Sequence, residues 1–93
     1  MISVLGNDIL RSGVKIGWIE GNDIRDHDGK KLGYFTNTHV YREKDGIAIA
    51  FIKGNDFLLS NGSIIKLDEL RHHVTGGNLS DIARGAIKVL IGD

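Results

Sequence analysis

The chain has 93 residues with 12 basic and 12 acidic side chains, so it lacks the basic excess of a generic nucleic-acid or anionic-membrane binder. The absence of cysteine excludes disulfides and thiol catalysis and fits a reducing compartment, for which we expect the cytoplasm. We expect one domain without a signal peptide or a membrane-spanning segment, because no apolar run approaches the required length.

Four segments of nearly equal length follow one another: Asn7 to Gly21, Asn22 to Asn37, Thr38 to Gly54 and Asn55 to Leu70. Each segment holds a turn glycine and, after it, a hydrophobic residue at a fixed place. The glycines are Gly13, Gly29, Gly46 and Gly62, and the hydrophobic residues are Trp18, Tyr34, Phe51 and Leu67. Both series step by 16, 17 and 16 residues, which indicates a repeated structural unit.

Other positions keep the same spacing. Corresponding hydrophobic residues are Ile9, Ile24, Val40 and Phe57, and likewise Ile16, Leu32, Ile49 and Ile65. Two other sets of corresponding positions change character in the fourth unit. In the first set, Lys66 follows the small residues Gly17, Gly33 and Ala50. In the second set, Asp68 follows the apolar residues Ile19, Phe35 and Ile52. We therefore expect four equivalent units, of which the fourth departs from the others.

Each unit is predicted to contain two strands and two turns. The segment from Val14 to Trp18 alternates apolar with polar or small residues, which predicts a strand with Val14, Ile16 and Trp18 on one face. Divided at its turns, the chain predicts hairpins over residues 2–11, 14–26, 31–42 and 47–59, and a ninth strand near residues 63–67. That strand is expected to pair with the first hairpin and close a ring, which would remove the exposed sheet edges. An open solenoid is the competing geometry, but the units lack distinct caps.

The links between units suit turns with a left-handed backbone. Three links read Gly-Asn, and both residue types tolerate positive φ. We predict positive φ at Gly21 and Gly54, and at Asn37 or a direct neighbour, where asparagine replaces the glycine.

The character of the chain changes after Leu70. Residues 71–77 are polar and end in two glycines, which predicts a linker between a 1–70 β domain and a helix within residues 78–92. Asn78 is the predicted N-cap, and residues 79–91 carry apolar side chains at helical spacing. The residues expected to be buried are Ile82, Ala83, Ala86, Ile87 and Leu90.

The apolar stripe of this helix is wider than one face of a lone helix needs to hide. We therefore expect Ile87, Val89 and Ile91 to contribute an interaction surface for a second subunit. The alternative is a helix that only covers one open end of its own β domain.

The phrases over residues 16–24 (IGWIEGNDI) and 28–35 (DGKKLGYF) resemble the four-fold β-flower family of small bacterial proteins. The resemblance covers about residues 1–70. It implies a mainly β fold of four two-strand units around a pseudo-fourfold axis, here with an added C-terminal α-helix. It brings no established activity, and the fourth unit departs from the pattern at Lys66 and Asp68.

A second resemblance involves residues 26–33 (DHDGKKLG), a strand around Val40, and Asp45-Gly46. This segment is similar to a PRC-barrel, a small β-barrel of photosynthetic reaction centres and of a ribosome-maturation factor. It accounts for about half of the chain and leaves the four-unit recurrence unexplained, so we rank it second.

Metal and cofactor sites are not predicted. His72 and His73 are adjacent, and adjacent side chains diverge on a strand or helix. His27 lies between Asp26 and Asp28, where oxygen ligands could hold a cation, but a solvated turn is the favoured interpretation. His39 is the fourth histidine, and it has no ligand spacing to the others.

The candidate ligand residues are Trp18, Tyr34 and Phe51, together with the recurring Asp8, Asp23 and Asp56. The aromatic residues are expected mainly in the core, with a ligand-stacking site near the symmetry axis as the alternative. The aspartates are expected mainly as turn residues that bond the backbone.

We predict a non-enzymatic protein-interaction or assembly module, with possible homo-oligomerisation through the C-terminal helix. The alternative is a small-ligand binding domain that uses the aromatic and aspartate positions. An enzyme is disfavoured because no nucleophile–base pair or metal set is visible. We expect neither nucleic acid nor membrane as a partner.

Overall fold

The computed structural model of the protein describes residues 1–92 as a mainly β fold with one ten-stranded sheet and two helices. The strands are β1 (Ile2–Leu5), β2 (Asp8–Arg11), β3 (Val14–Glu20), β4 (Asp23–Asp26), β5 (Lys31–Phe35), β6 (His39–Arg42), β7 (Ala48–Lys53), β8 (Asp56–Leu59), β9 (Ile64–Lys66) and β10 (Val74–Gly76). The helices are α1 (Leu67–His73) and α2 (Asp81–Leu90). All four predicted hairpins are confirmed.

Strands β1 to β9 form one meander in which each strand is antiparallel to the next, and β10 adds parallel to β1. The predicted ring closure by the ninth strand is wrong, since within residues 1–92 β9 pairs only with β8 and β10 lies beside β1. Helix α1 joins these two edge strands directly. Its 7 residues span only about 10 Å, so the two edges of the sheet are brought near each other.

The sheet is strongly curled. Ten flat strands would extend over about 43 Å at the usual spacing, whereas the longest dimension of the molecule is 31 Å. The concave side of this curl holds α2, which packs against β4 to β7 and β10. We call this side the inner face and the opposite side the outer face.

A β-bulge recurs at the same place in the first three units. Gly17 lies opposite Ile9 and Lys15 lies opposite Leu10, which leaves Ile16 as the extra residue of the bulge. The same shift makes Leu32 the extra residue of β5 and Ile49 that of β7. The recurring residues Ile16, Leu32 and Ile49 are therefore bulged residues, whereas Ile65, expected to correspond to them, is not.

The bulge changes which side chains share a face. Ile16 packs against the core, whereas Trp18 does not, and Val14 is 65% exposed. The prediction of one common face for these three residues is wrong, because simple alternation ends where the extra residue is inserted.

The fourth unit lacks the bulge. Phe57 pairs with Ile65 and Leu58 with Ile64 without a register shift. Ile65 therefore occupies the place of Gly17, and Lys66 occupies that of Trp18, one residue earlier than equal spacing suggests. The prediction that Lys66 corresponds to Gly17, Gly33 and Ala50 is wrong, because one residue is missing from this unit.

One backbone hydrogen bond recurs in all four units and supports this shifted alignment. The first residue of each unit accepts through its carbonyl from an amide near the end of the second strand, or, in the fourth unit, from the amide of the first residue of α1. The bonds are Ile19 N to Asn7 O (2.8 Å), Phe35 N to Asn22 O (3.0 Å), Ile52 N to Thr38 O (2.8 Å) and Leu67 N to Asn55 O (3.0 Å). Leu67, and not Asp68, therefore corresponds to Ile19.

The core lies between the inner face and the two helices. The second residue of each of the strands β2, β4, β6 and β8 is fully buried there. These residues are Ile9, Ile24, Val40 and Phe57. Glycines on the inner face admit the helix closely, since a Cβ on Gly33 would lie 2.8 Å from the Leu90 side chain. Trp18, Tyr34 and Phe51 are not part of this core, so their expected core placement is wrong.

Helix α2 is confirmed in type and place, although it begins later than expected. Ser80, and not Asn78, is the N-cap, and its hydroxyl accepts from the Ala83 amide. Among the residues expected to be buried, Ile82, Ala83, Ala86 and Ile87 are buried and Leu90 is partly buried against the core.

Residues 71–77 do not form the expected linker. Arg71 to His73 end α1, and Val74 to Gly76 form β10, whose Val74 is fully buried. The ion pair between Arg71 and Asp81 (3.0 Å) joins α1 to α2.

The turn predictions are partly confirmed. Gly21 has φ 61° and Gly54 has φ 63°. Asn37 and its neighbours do not have positive φ, because the Thr36 hydroxyl shapes this turn by accepting from the amides of Thr38 (3.4 Å) and His39 (3.1 Å).

Candidate interaction surface

The outer face of β5 to β9 has a central area of uncharged and largely aromatic side chains, with Lys53, Asp56 and Lys66 beside it on the same face. The uncharged residues oppose one another across neighbouring strands in the pairs Tyr34–Tyr41, Tyr41–Ala48, His39–Phe51, Phe51–Leu58 and Leu58–Ile64. Residues that oppose each other directly share one side of a sheet, so these seven residues form one continuous surface. We call it the aromatic face.

Four rings of the aromatic face are stacked in a row. The Tyr34 and Tyr41 centroids are 5.0 Å apart, His39 and Tyr41 6.1 Å, and His39 and Phe51 5.5 Å. The interplanar angles lie between 17° and 23°, so the rings are nearly parallel. The ring faces are turned toward one another along the row, so the ring edges point outward from the sheet.

Exposure differs among the residues of the aromatic face. Tyr34, His39 and Tyr41 are half-buried, Phe51 is 37% exposed, and Ile64 on edge strand β9 is 58% exposed. The His39 ring is held by its Nδ1 atom, 2.7 Å from the Thr38 hydroxyl. The stacked rings are thus the more buried part of the surface, and Phe51 and Ile64 are its exposed large side chains.

The outer face of β2 to β4, extended to Lys31 at the start of β5, is charged instead. Its residues are Asp8, Lys15, Trp18, Glu20, Asp23, Arg25 and Lys31, which we call the charged face. Lys15 pairs with Asp8 (3.0 Å), Arg25 with Glu20 (3.3 Å), and Lys31 with Asp23 (3.4 Å). The hydrogen bond to Glu43, followed by the charge of Asp23, raises the pKa of Lys31 above its ordinary value.

The predicted ligand residues are only partly brought together. Tyr34 and Phe51 belong to one row of rings, joined through Tyr41 and His39. Trp18 lies on the charged face, where the Lys15 ammonium stands 5.2 Å from its ring centroid. Sequence reasoning missed Tyr41 and His39, although their spacing of two on β6 places them on one side of a strand.

The recurring aspartates are engaged separately. Asp8, Asp23 and Asp56 each contact a lysine, the last of them Lys66 at 2.6 Å. They lie on three different strands, and among residues 1–92 no group of three or more histidine and acidic side chains is placed to hold a metal ion.

The His27 turn is built by its own backbone. Asp26 Oδ1 accepts from the amides of Asp28 and Lys30, both at 2.9 Å. His27 Nδ1 lies 3.0 Å from the Asp28 carboxylate, and both side chains are exposed. The acidic groups of this turn therefore have structural partners, as expected for a turn of the Asx type.

The helix residues expected at an interface face their own domain. Ile87 is fully buried, and Val89 and Ile91 pack against the core as partly buried side chains. A Cβ on Gly17 would lie 3.3 Å from Ile91 Cδ1, which shows how closely Ile91 approaches β3. These residues contribute to the cover that α2 provides over the inner face.

No family model, curated protein or solved structure shows a significant match to the chain. The described part of the chain also contains no helix that is both long and apolar enough to cross a membrane.

Proposed function

We propose that the protein is a non-enzymatic interaction module that associates with a second copy of itself through the aromatic face. The observation that carries this proposal is the contiguous, uncharged and partly exposed set of side chains on five adjacent strands, opposite a core that is filled without them. A contiguous apolar patch on a small domain is typical of an interaction site, and aromatic residues are enriched at the centres of interfaces.

The ring geometry favours a protein partner over a small stacking ligand. A sugar or a nucleobase binds an aromatic side chain through the open face of its ring. Tyr41 and His39 each stack on two neighbouring rings. Tyr34 stacks on Tyr41 and has the Lys31 ammonium 4.8 Å from its centroid. Phe51, at the other end of the row, stacks on His39. Outward rims offer a close-packed apolar surface with the two tyrosine hydroxyls, which suits another protein surface.

The charges favour a second copy as that partner. The formal net charge of zero means that two copies do not repel each other at long range. The rim of the aromatic face carries both signs, with Asp56 beside Lys53 and Lys66. A two-fold interface brings the same patch of both copies together, so mixed charges at the rim can pair across it.

Helix α2 is not part of the proposed association surface. Separating Ile87 from the core of its own domain would expose a fully buried side chain. Val89 and Ile91 are also partly covered by their own strands. The aromatic face needs no such rearrangement.

We also propose that the four units are related by rotation about an axis, as the β-flower resemblance implies. The recurring bulges and the recurring hydrogen bonds to Asn7, Asn22, Thr38 and Asn55 support this arrangement. Superposing the units of an experimental structure, with the one-residue gap before Ile65, tests it. Rotations that differ widely between successive units would contradict it.

Sedimentation velocity over a concentration series tests the association. We expect wild-type protein to dimerise and Phe51→Glu to remain monomeric, because a buried unpaired carboxylate is strongly unfavourable. The matched control is Trp18→Glu, since Trp18 and Phe51 hold the same register position on the two halves of the outer face. This control should dimerise like the wild type.

Circular dichroism must show that both variants are folded at the concentrations used. A wild-type protein that stays monomeric at high micromolar concentration contradicts self-association. Equal loss of association in Phe51→Glu and Trp18→Glu contradicts the assignment to the aromatic face.

A further inference from the structure

A cavity of about 420 Å³ opens between the end of α2 and the strands β5 to β7. Its apolar wall is formed by Leu32, Ile49, Val89 and Leu90. Two of these, Leu32 and Ile49, are the extra residues of the bulges in β5 and β7. The cavity therefore lies where the bulged residues of two neighbouring strands meet the end of the helix.

The mouth of this cavity is basic. It is lined by Lys30, Lys31, Arg42 and Lys44, with Glu43 as the one acidic residue. Arg42 is held by Asp45 (2.6 Å), and Lys31 is shared between Asp23 and Glu43. Lys30 and Lys44 form no ion pair within residues 1–92, so two cations stand at the mouth without an anionic partner.

We propose that this cavity binds an amphipathic anion with one apolar tail and a carboxylate head. The volume lies in the range of small-molecule sites. The apolar wall would cover the tail, and the ammonium groups of Lys30 and Lys44 would receive the head. Lysine acts here as a point charge, and the guanidinium of Arg42 is already engaged in a bidentate contact, so a compact carboxylate suits the mouth.

A structural role for the two lysines is the alternative. Carbonyl groups at the end of a helix carry partial negative charge, and nearby cations stabilise them. Lys30 and Lys44 would then balance the end of α2 without any ligand. The cavity adjoins the aromatic face at Lys31, whose ammonium lies 4.8 Å from the Tyr34 ring centroid. The residues proposed to hold the anion are not part of the aromatic face, so the site does not depend on the proposed self-association.

The probe is decanoate, with 1-decanol as its uncharged analogue, followed by methyl NMR and calorimetry. We expect saturable shifts of the Leu32, Ile49, Val89 and Leu90 methyl signals and about tenfold weaker binding of decanol, a difference of about 1.4 kcal/mol. The double variant Lys30→Gln/Lys44→Gln should weaken decanoate binding at least about fivefold. The control Lys53→Gln removes a lysine elsewhere on the surface and should leave binding within about twofold.

The same titration in Phe51→Glu separates this site from self-association, since decanoate should bind that variant unchanged. Absence of saturable shifts at millimolar decanoate would overturn the proposal. Equal binding of decanol, binding that the double variant retains, or shifts confined to the aromatic face would also overturn it.

Discussion

The two faces of the sheet differ in how they use the same repeat. On the inner face the equivalent residues Ile9, Ile24, Val40 and Phe57 are all fully buried aliphatic or aromatic side chains. On the outer face the equivalent residues differ, from Trp18 through Tyr34 and Phe51 to Lys66. Packing in one shared core constrains this position in every unit, whereas the outer side is free to diverge.

That divergence separates the outer face into a charged half and an aromatic half. The charged face satisfies its groups internally through ion pairs between strands. The aromatic face leaves Phe51 and Ile64 substantially exposed. Effects of substitution on folding should therefore concentrate on the inner face, and effects on association on the aromatic half.

The largest effect on stability is expected at Phe57. Phe57→Ala removes a fully buried ring from beneath α2 and should destabilise the fold by about 3–5 kcal/mol. Phe51→Ala deletes the same atoms from the outer face and should destabilise it much less. Urea unfolding of both variants at low protein concentration measures the difference, and similar losses would contradict the assignment of inner and outer faces.

A second substitution tests how closely α2 approaches the inner face. Gly85→Ala raises helix propensity by about 1 kcal/mol, but its Cβ would lie 2.3 Å from the Phe57 ring. We expect net destabilisation of about 1–3 kcal/mol because the core becomes overpacked. Phe57→Leu removes the ring that the new Cβ would meet. Gly85→Ala should therefore destabilise the Phe57→Leu protein less than it destabilises the wild type. A stabilised Gly85→Ala protein would mean that the helix lies farther from β8.

A smaller effect is expected at the turns that join the units. Gly54 has φ 63° and open space around its Cβ position, so only backbone strain opposes a side chain there. Gly54→Val should destabilise by more than about 1 kcal/mol, because a β-branched residue resists this conformation. Gly54→Asn is the matched control and should lose less. Equal denaturant midpoints for the two variants would argue against the left-handed turn.

The smallest effect concerns the pH dependence of the exposed turn between β6 and β7. The hydrogen bonds from Arg42 lower the pKa of the Asp45 carboxyl below its ordinary value. A carboxyl with a lowered pKa in the folded state contributes stability above its unfolded pKa, near 3.9, and loses it as pH falls through the folded value. Asp45→Asn should therefore lower the melting temperature slightly at pH 7, and the difference from wild type should be smaller at pH 2. A gap that is unchanged between these pH values would contradict the pairing.

The sequence predicted the elements better than it predicted their faces. Equal spacing located the four hairpins, and helical spacing from Ile82 to Leu90 located α2. The bulges at Ile16, Leu32 and Ile49 were not predicted, because an inserted residue shifts alternation without changing composition. Because the alternation was counted without the inserted residue, Trp18, Tyr34 and Phe51 were predicted on the wrong side of the sheet, in the core.

Strand β10 and its pairing with β1 could also not be predicted from sequence patterns. Residues 71–77 looked polar and glycine-rich, and β10 has only 3 residues. Val74 forms a strand because β1 offers it an edge and α1 brings it there, which is a tertiary effect. The residues opposite Tyr41 and His39 on neighbouring strands likewise depend on strand register, which determines which side chains form the aromatic face.

An NMR dilution series of the wild-type protein tests the central claim most directly. If the aromatic face mediates self-association, amide and ring signals of Tyr34, Tyr41, Phe51, Leu58 and Ile64 will move with concentration from low to high micromolar. Signals of the charged face and of α2 will stay in place. Spectra that do not change with concentration, or changes centred on Val89 and Ile91, would contradict the assignment of the aromatic face as the interaction surface.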